Sequence, residues 1–112
     1  MGESVFKETT RNKLLGVSVA TLATALFKRG LRNQTIQAVH LVSPKGLNMV
    51  GPAFPLRYIP AREDLNQLTE FRKPDHPERV AIETCLASSV LVFDSRKYPR
   101  AASAGDILIT RL

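Results

Sequence analysis

Ser88-Ser89-Val90-Leu91-Val92-Phe93-Asp94-Ser95 is a compact apolar run of strand length, closed on both sides by serine. An apolar run without polar alternation reads as a strand covered on both faces, the signature of a buried central strand in a layered α/β domain. Working outward from it, Glu78 to Cys85 upstream reads as a short helix after the Pro74 and Pro77 connection. Downstream, Asp106 to Leu112 starts a helix on the pattern Ile107, Leu108, Arg111, Leu112. Arg62 to Arg72, with Leu65, Leu68 and Phe71 on one side, is a further predicted helix. Asn48 to Ile59 is extended and broken by Gly51-Pro52 and Pro55, which implies a bent or edge strand whose backbone approaches something closely. Thr35 to Ser43 is β-branched and alternating and ends in the turn chemistry of Pro44-Lys45-Gly46, so it predicts another strand.

The clearest helix lies nearer the N-terminus. Ser18 is placed to cap Val19 to Arg29, Leu22, Ala25, Leu26 and Arg29 follow at helical spacing, and Gly30 is the stop. Thr21 stands where a capping box needs Glu or Gln, so the helix start rests on Ser18. Lys28 and Arg29 fall in the last turn, where the helix dipole favours cations. Alternation of helices and strands predicts a single α/β domain over 1–112, with 1–12 as a flexible or helical extension. Its expected core is Leu22, Leu26, Val39, Leu41, Val90, Leu91, Val92 and Phe93.

With 112 residues the chain has room for one modest core, and 44% hydrophobic with 23% charged residues is ordinary for a folded domain. Cys85 is the single cysteine, which excludes an internal disulfide and a zinc site built on cysteines. It reads as a small buried hydrophobe. No signal-peptide stretch and no run long enough for a membrane span occur, and a reducing cytoplasm is the expected location. The net charge of +6 is unevenly placed: residues 1–60 carry eight Lys or Arg against Glu3 and Glu8, whereas residues 61–112 carry eight of each sign. The basic residues are interleaved with no aromatic stripe that would stack bases, which disfavours nucleic acid as a partner. His40 and His76 have no carboxylate spacing that suggests a metal, and structural or surface roles are expected for both. Met49 is expected in the core. Asp94, at a strand end, is either an active-site neighbour or a turn residue. The absence of Gly-x-Gly-x-x-Gly and Walker patterns leaves nucleotide chemistry without support.

Three stretches together carry a likeness. They are Gly16 to Leu22 with Ala25 to Gly30; Met49-Val50-Gly51-Pro52-Ala53-Phe54; and Val90 to Ser95 followed by Arg100-Ala101-Ala102-Ser103-Ala104-Gly105-Asp106-Ile107-Leu108. In this order and spacing the chain resembles the N-terminal half of the RraA-like family, whose members are pyruvate-forming aldolases or ribonuclease regulators. The resemblance implies a swivelling β/β/α layered domain, incomplete at its C-terminus, that assembles as homo-trimers or hexamers with active sites between subunits.

In the aldolase branch the resemblance implies that backbone N–H groups of Gly105, Asp106, Ile107 and Leu108 receive the carboxylate of a small 2-oxo acid. It also implies that Asp106 is catalytic and helps hold magnesium or manganese through water. A glycine turn that opens a helix suits such an anion, because the first N–H groups of the helix lack intrahelical partners. The family's Arg-Asp pair follows some twenty residues later, which would be near position 127 and past Leu112. The chain alone is therefore expected to hold half of the site and to give no turnover, with magnesium or manganese the cofactor of the parent protein and its binding to this chain left open. Lys97-Tyr98-Pro99 departs from the small or acidic turn that the likeness implies, and Ala87-Ser88-Ser89 replaces an acidic position.

The expected activity of the parent protein is cleavage of 4-hydroxy-2-oxo acids, or decarboxylation of oxaloacetate, to give pyruvate. The alternatives are a non-enzymatic regulator that binds an endoribonuclease through an oligomer surface, and an inactive remnant.

Overall fold

Val90–Asp94 is a strand (β2), and its partner is Ala53–Arg57 (β1), thirty-seven residues earlier in the chain. The two run parallel, in the register Ala53↔Val90 to Arg57↔Asp94. The computed structural model describes residues 6–42, 46, 48–100 and 104–112. The described chain divides into two compact units, Met1–Val50 and Gly51–Leu112, of mixed α/β composition taken together. None of the helices among the described residues is long and apolar enough to cross a membrane.

The first unit is helical. Glu8–Leu15 (α1) is followed after a short turn by Val19–Lys28 (α2), and the Ser18 side chain accepts from the Thr21 N–H at 3.2 Å, as the sequence predicts. Gly30, at φ 83°, ends the second helix in the left-handed conformation that glycine adopts most readily. Asn48 returns to α1 and donates to the carbonyls of Leu15 and Val17 at 2.8 and 3.4 Å, covering acceptors that a helix end leaves open. Arg11 donates through Nε to the Val50 carbonyl at 3.2 Å. Ser18→Ala should cost about 1 kcal/mol in a denaturant titration, and an unchanged midpoint would remove the cap from the account.

Thr35 to Val42 is not a strand, and Ser43 to Lys45 lie outside the described residues. A turn at Gln37-Ala38, with Ala38 at φ 58°, interrupts the run, and the described sheet consists of β1 and β2 without it. Val39 and Leu41, expected in the core, are 70% and 73% exposed, and Met49 is likewise exposed.

In the second unit Pro77–Thr84 (α3) lies against β1. Proline at its first position fits there because that N–H would be unpaired in any case, and His76 caps it by accepting from the Glu78 N–H at 3.3 Å. Its Ala81 and Ile82, 4% and 5% exposed, are the buried apolar residues among those described. β2 is half-buried along its whole length, so the expectation of a fully covered central strand is met only in part. Tyr58 and Phe93 pack as tilted rings with centroids 5.7 Å apart.

Gly51, just ahead of β1, explains the close approach that its sequence setting implies: a side chain there would strike the Ser88 carbonyl oxygen. One residue on, the Pro52 carbonyl accepts the Val90 N–H at 2.8 Å and starts the parallel pair.

The helix expected over Arg62 to Arg72 is reduced to a 3₁₀ segment, Leu68–Arg72. Asn66 Oδ1 accepts from the Arg62 N–H at 2.8 Å, and the Arg62 guanidinium grips Asp64 at 2.6 and 3.1 Å. Such local side-chain bonds hold the backbone in a turn that competes with helix. Leu65, Leu68 and Phe71 consequently stay exposed.

Candidate functional site

The carboxyl end of the β1–β2 pair is organised by Asp94. Its Oδ2 accepts from Arg57 Nε at 3.0 Å, across the strand register, and its Oδ1 accepts from the Arg96 N–H at 3.0 Å. The Arg96 amide first, and the Arg57 guanidinium second, hold the Asp94 carboxyl below its ordinary range. The Tyr58 N–H donates to the Asp94 carbonyl at 2.9 Å, and burial, with Glu78 nearby, pushes the Tyr58 phenol up to about 12.

Beyond the turn that follows, Gly105 opens Asp106–Arg111 (α4) in an extended conformation, φ −94° and ψ 174°. It brings no capping side chain, and the space where a Cβ would stand is open. Gly105, Asp106, Ile107 and Leu108 thus form the first turn of a helix, as the sequence implies. The part assigned to the Asp106 carboxylate, catalytic or metal-holding, lies outside the described side chains, and Ala101 to Ser103 of the approach lie outside the described residues.

Ile107 and Leu108 share a cavity of about 450 Å³ with Arg79, Ile82, Glu83 and Arg111. Ile107 is 82% exposed at its mouth, while Ile82 supplies an apolar floor. Arg111 clasps Glu83 through Nε and Nη2, the latter at 3.0 Å from Oε2, and this contact lowers the Glu83 pKa and raises that of Arg111. Arg79 donates to the Arg72 carbonyl at 3.2 Å. The cavity therefore holds two guanidiniums against one carboxylate.

The other candidates take different roles. His76 is the α3 cap and packs at a tilt against Phe71, with ring centroids 4.8 Å apart, a structural role. Cys85 is half-buried next to the Leu86 carbonyl. His40 is exposed in the stretch that follows α2. Among the described residues no three His, Cys, Asp or Glu side chains converge as a metal site would require. Sequence reasoning missed the pairs Arg57–Asp94 and Glu83–Arg111, whose members stand 37 and 28 residues apart and carry no local spacing signal.

No protein-family model matches this chain, and no curated protein or solved structure matches it.

Proposed function

We propose that the chain is part of an RraA-like protein of swivelling β/β/α type, whose activity is metal-dependent retro-aldol cleavage of 4-hydroxy-2-oxo acids, or decarboxylation of oxaloacetate, to pyruvate. One observation carries the reading. Two of the three stretches behind the resemblance meet in the parallel pair, Met49 to Phe54 through Ala53 and Phe54 at the start of β1 and Val90 to Ser95 through the whole of β2, and the chain then leads to the Gly105 helix start. Loops that leave the carboxyl ends of parallel strands are where α/β sheets hold ligands.

The chain's own contribution is to bind and orient. The first turn from Gly105 offers backbone N–H donors and a positive dipole end to the oxo-acid carboxylate, and glycine keeps the approach clear. The Arg that would meet the developing enolate oxygen, and the second Asp, have no counterpart at the required spacing within residues 1–112. The described side chains do not make a metal site, so no step is assigned here through magnesium or manganese. In the family reading that ion supplies Lewis acidity once the missing carboxylate is present.

A second reading, a cytoplasmic regulator of an endoribonuclease, has its own support. From residue 9 to residue 62 the chain has no Asp or Glu. Lys28, Arg29 and Arg32 stand exposed beside exposed Phe27 and Leu31, a surface that suits an acidic protein. Both readings imply homo-trimers or hexamers. Pyruvate release from a 4-hydroxy-2-oxo acid, by a protein that joins residues 1–112 to an Arg-Asp segment, separates them: turnover supports the lyase, and its absence supports the regulator.

A further inference from the structure

The turn that follows β2 is built from residues that ordinarily avoid it. Arg96, at φ 54°, and Lys97, at φ 63°, are consecutive and both left-handed, and the Tyr98 N–H donates to the Ser95 carbonyl at 3.1 Å. Positive φ at both central residues with this hydrogen bond marks a turn of the I′ kind, which Asn-Gly, Asp-Gly or Gly-Gly normally fill. A side chain in that conformation brings its Cβ against the following carbonyl. Nothing in the backbone pairing calls for Arg or Lys here, so what the two residues add is their side chains.

Both side chains are exposed cations. Across the sheet register Arg57 adds a third, and among the described residues the carboxylate bonded into the group is Asp94. Three positive charges less one negative leave +2. Asp94 spends its two oxygens on Arg57 Nε and the Arg96 amide, so it fixes the geometry of the group without bonding the Arg96 guanidinium or the Lys97 ammonium. The place matters as much as the charge: it is the carboxyl end of the parallel pair, where ligands of α/β sheets bind, and strain retained at such a position points to function.

We propose that Arg57, Arg96 and Lys97 form an anion site for a doubly charged oxyanion group on a small molecule, either a phosphate monoester or two neighbouring carboxylates. The site uses none of Gly105 to Leu108 and does not depend on the lyase reading.

The test is titration of the 112-residue chain with inorganic phosphate and, separately, with malonate, at constant ionic strength, followed by ¹⁵N NMR. Saturable shifts are expected at Arg57 Nε and at the amides of residues 95–98. Tighter phosphate assigns the ester and tighter malonate assigns the dicarboxylate. Arg96→Asn combined with Lys97→Gly gives the turn its preferred residues, so the melting temperature should rise by about 4–8 °C while affinity falls at least about tenfold. Arg96→Gln with Lys97→Gln keeps the backbone as it is and should lose affinity to the same extent with no gain in melting temperature. Should the Asn-Gly chain fail to fold, the Gln pair decides the matter. Unchanged affinity in the Gln pair, or shifts that chloride reproduces at equal ionic strength, would overturn the proposal.

Discussion

Asp106→Ala, in a protein that joins residues 1–112 to a downstream Arg-Asp segment, is expected to lower kcat/KM for pyruvate release by about 10²–10³, the usual loss when one preorganised electrostatic contact to the reacting atoms is removed. The argument is positional. Asp106 is the first residue of α4, directly after the glycine that keeps the helix start open, and it is the only acidic residue between Ser95 and Leu112. In the proposed reading, binding of the carboxylate itself falls to backbone N–H groups, which the substitution leaves in place. The loss should therefore appear in kcat rather than in KM, and steady-state kinetics of the pair would show it. A tenfold rise in KM at constant kcat would instead make Asp106 a binding residue.

Gly51→Val should be the most damaging single change to the fold of the second unit, at about 3 kcal/mol or more. A Cβ there meets the Ser88 carbonyl oxygen and approaches the Ser88 carbonyl carbon and Ser89 Cα to 3.3 and 3.4 Å. These are backbone atoms, so no rotamer change relieves the clash, and relief requires opening the strand pair where the Pro52 carbonyl meets the Val90 N–H. With only Ala81 and Ile82 buried among the described residues, there is little core to offset that opening. Urea titration by circular dichroism checks the magnitude. Gly30→Ala is the informative comparison: it has open space and a φ of 83°, so it should cost only about 1 kcal/mol, through backbone conformation alone.

The difference between what was legible in the sequence and what was not follows the range of the interactions. The second helix could be read because Ser18 and Gly30 act within one turn of its ends, and α3 could be read over Glu78 to Cys85, although Pro77, taken as connection, is its first residue. β2 could be read from its apolar run, and the breakers at Gly51-Pro52 announced a close approach without saying to what. Thr35 to Val42 has the composition of a strand, but a strand exists only with a partner, and the partner of β2 is Ala53–Arg57. Arg62 to Arg72 has helical spacing, yet Asn66 and Asp64 bind their own neighbourhood more strongly than that pattern can override. The core expectation failed at Val39 and Leu41 for the same reason that the strand failed, and it omitted Ala81 and Ile82 because the short helix carrying them has too few apolar residues to stand out.

The candidate site divides the same way. The Gly105 helix start is a local signal and was read directly. The cavity beside it is lined by Arg79 and Glu83 from one helix and Arg111 from another, and only the packing of α3 near α4 unites them. Arg57 and Asp94 meet because of the parallel register, which no pattern of spacing announces.

Pyruvate release measured side by side, for the 112-residue chain and for a protein that adds the Arg-Asp segment, tests the lyase reading most directly. With magnesium or manganese and a 4-hydroxy-2-oxo acid or oxaloacetate, the extended protein should turn over and lose activity to a chelator, while residues 1–112 alone should give no rate above the uncatalysed background. Metal-dependent turnover by the 112-residue chain alone would contradict the half-site account, and an inactive extended protein that folds and assembles would contradict the lyase reading itself.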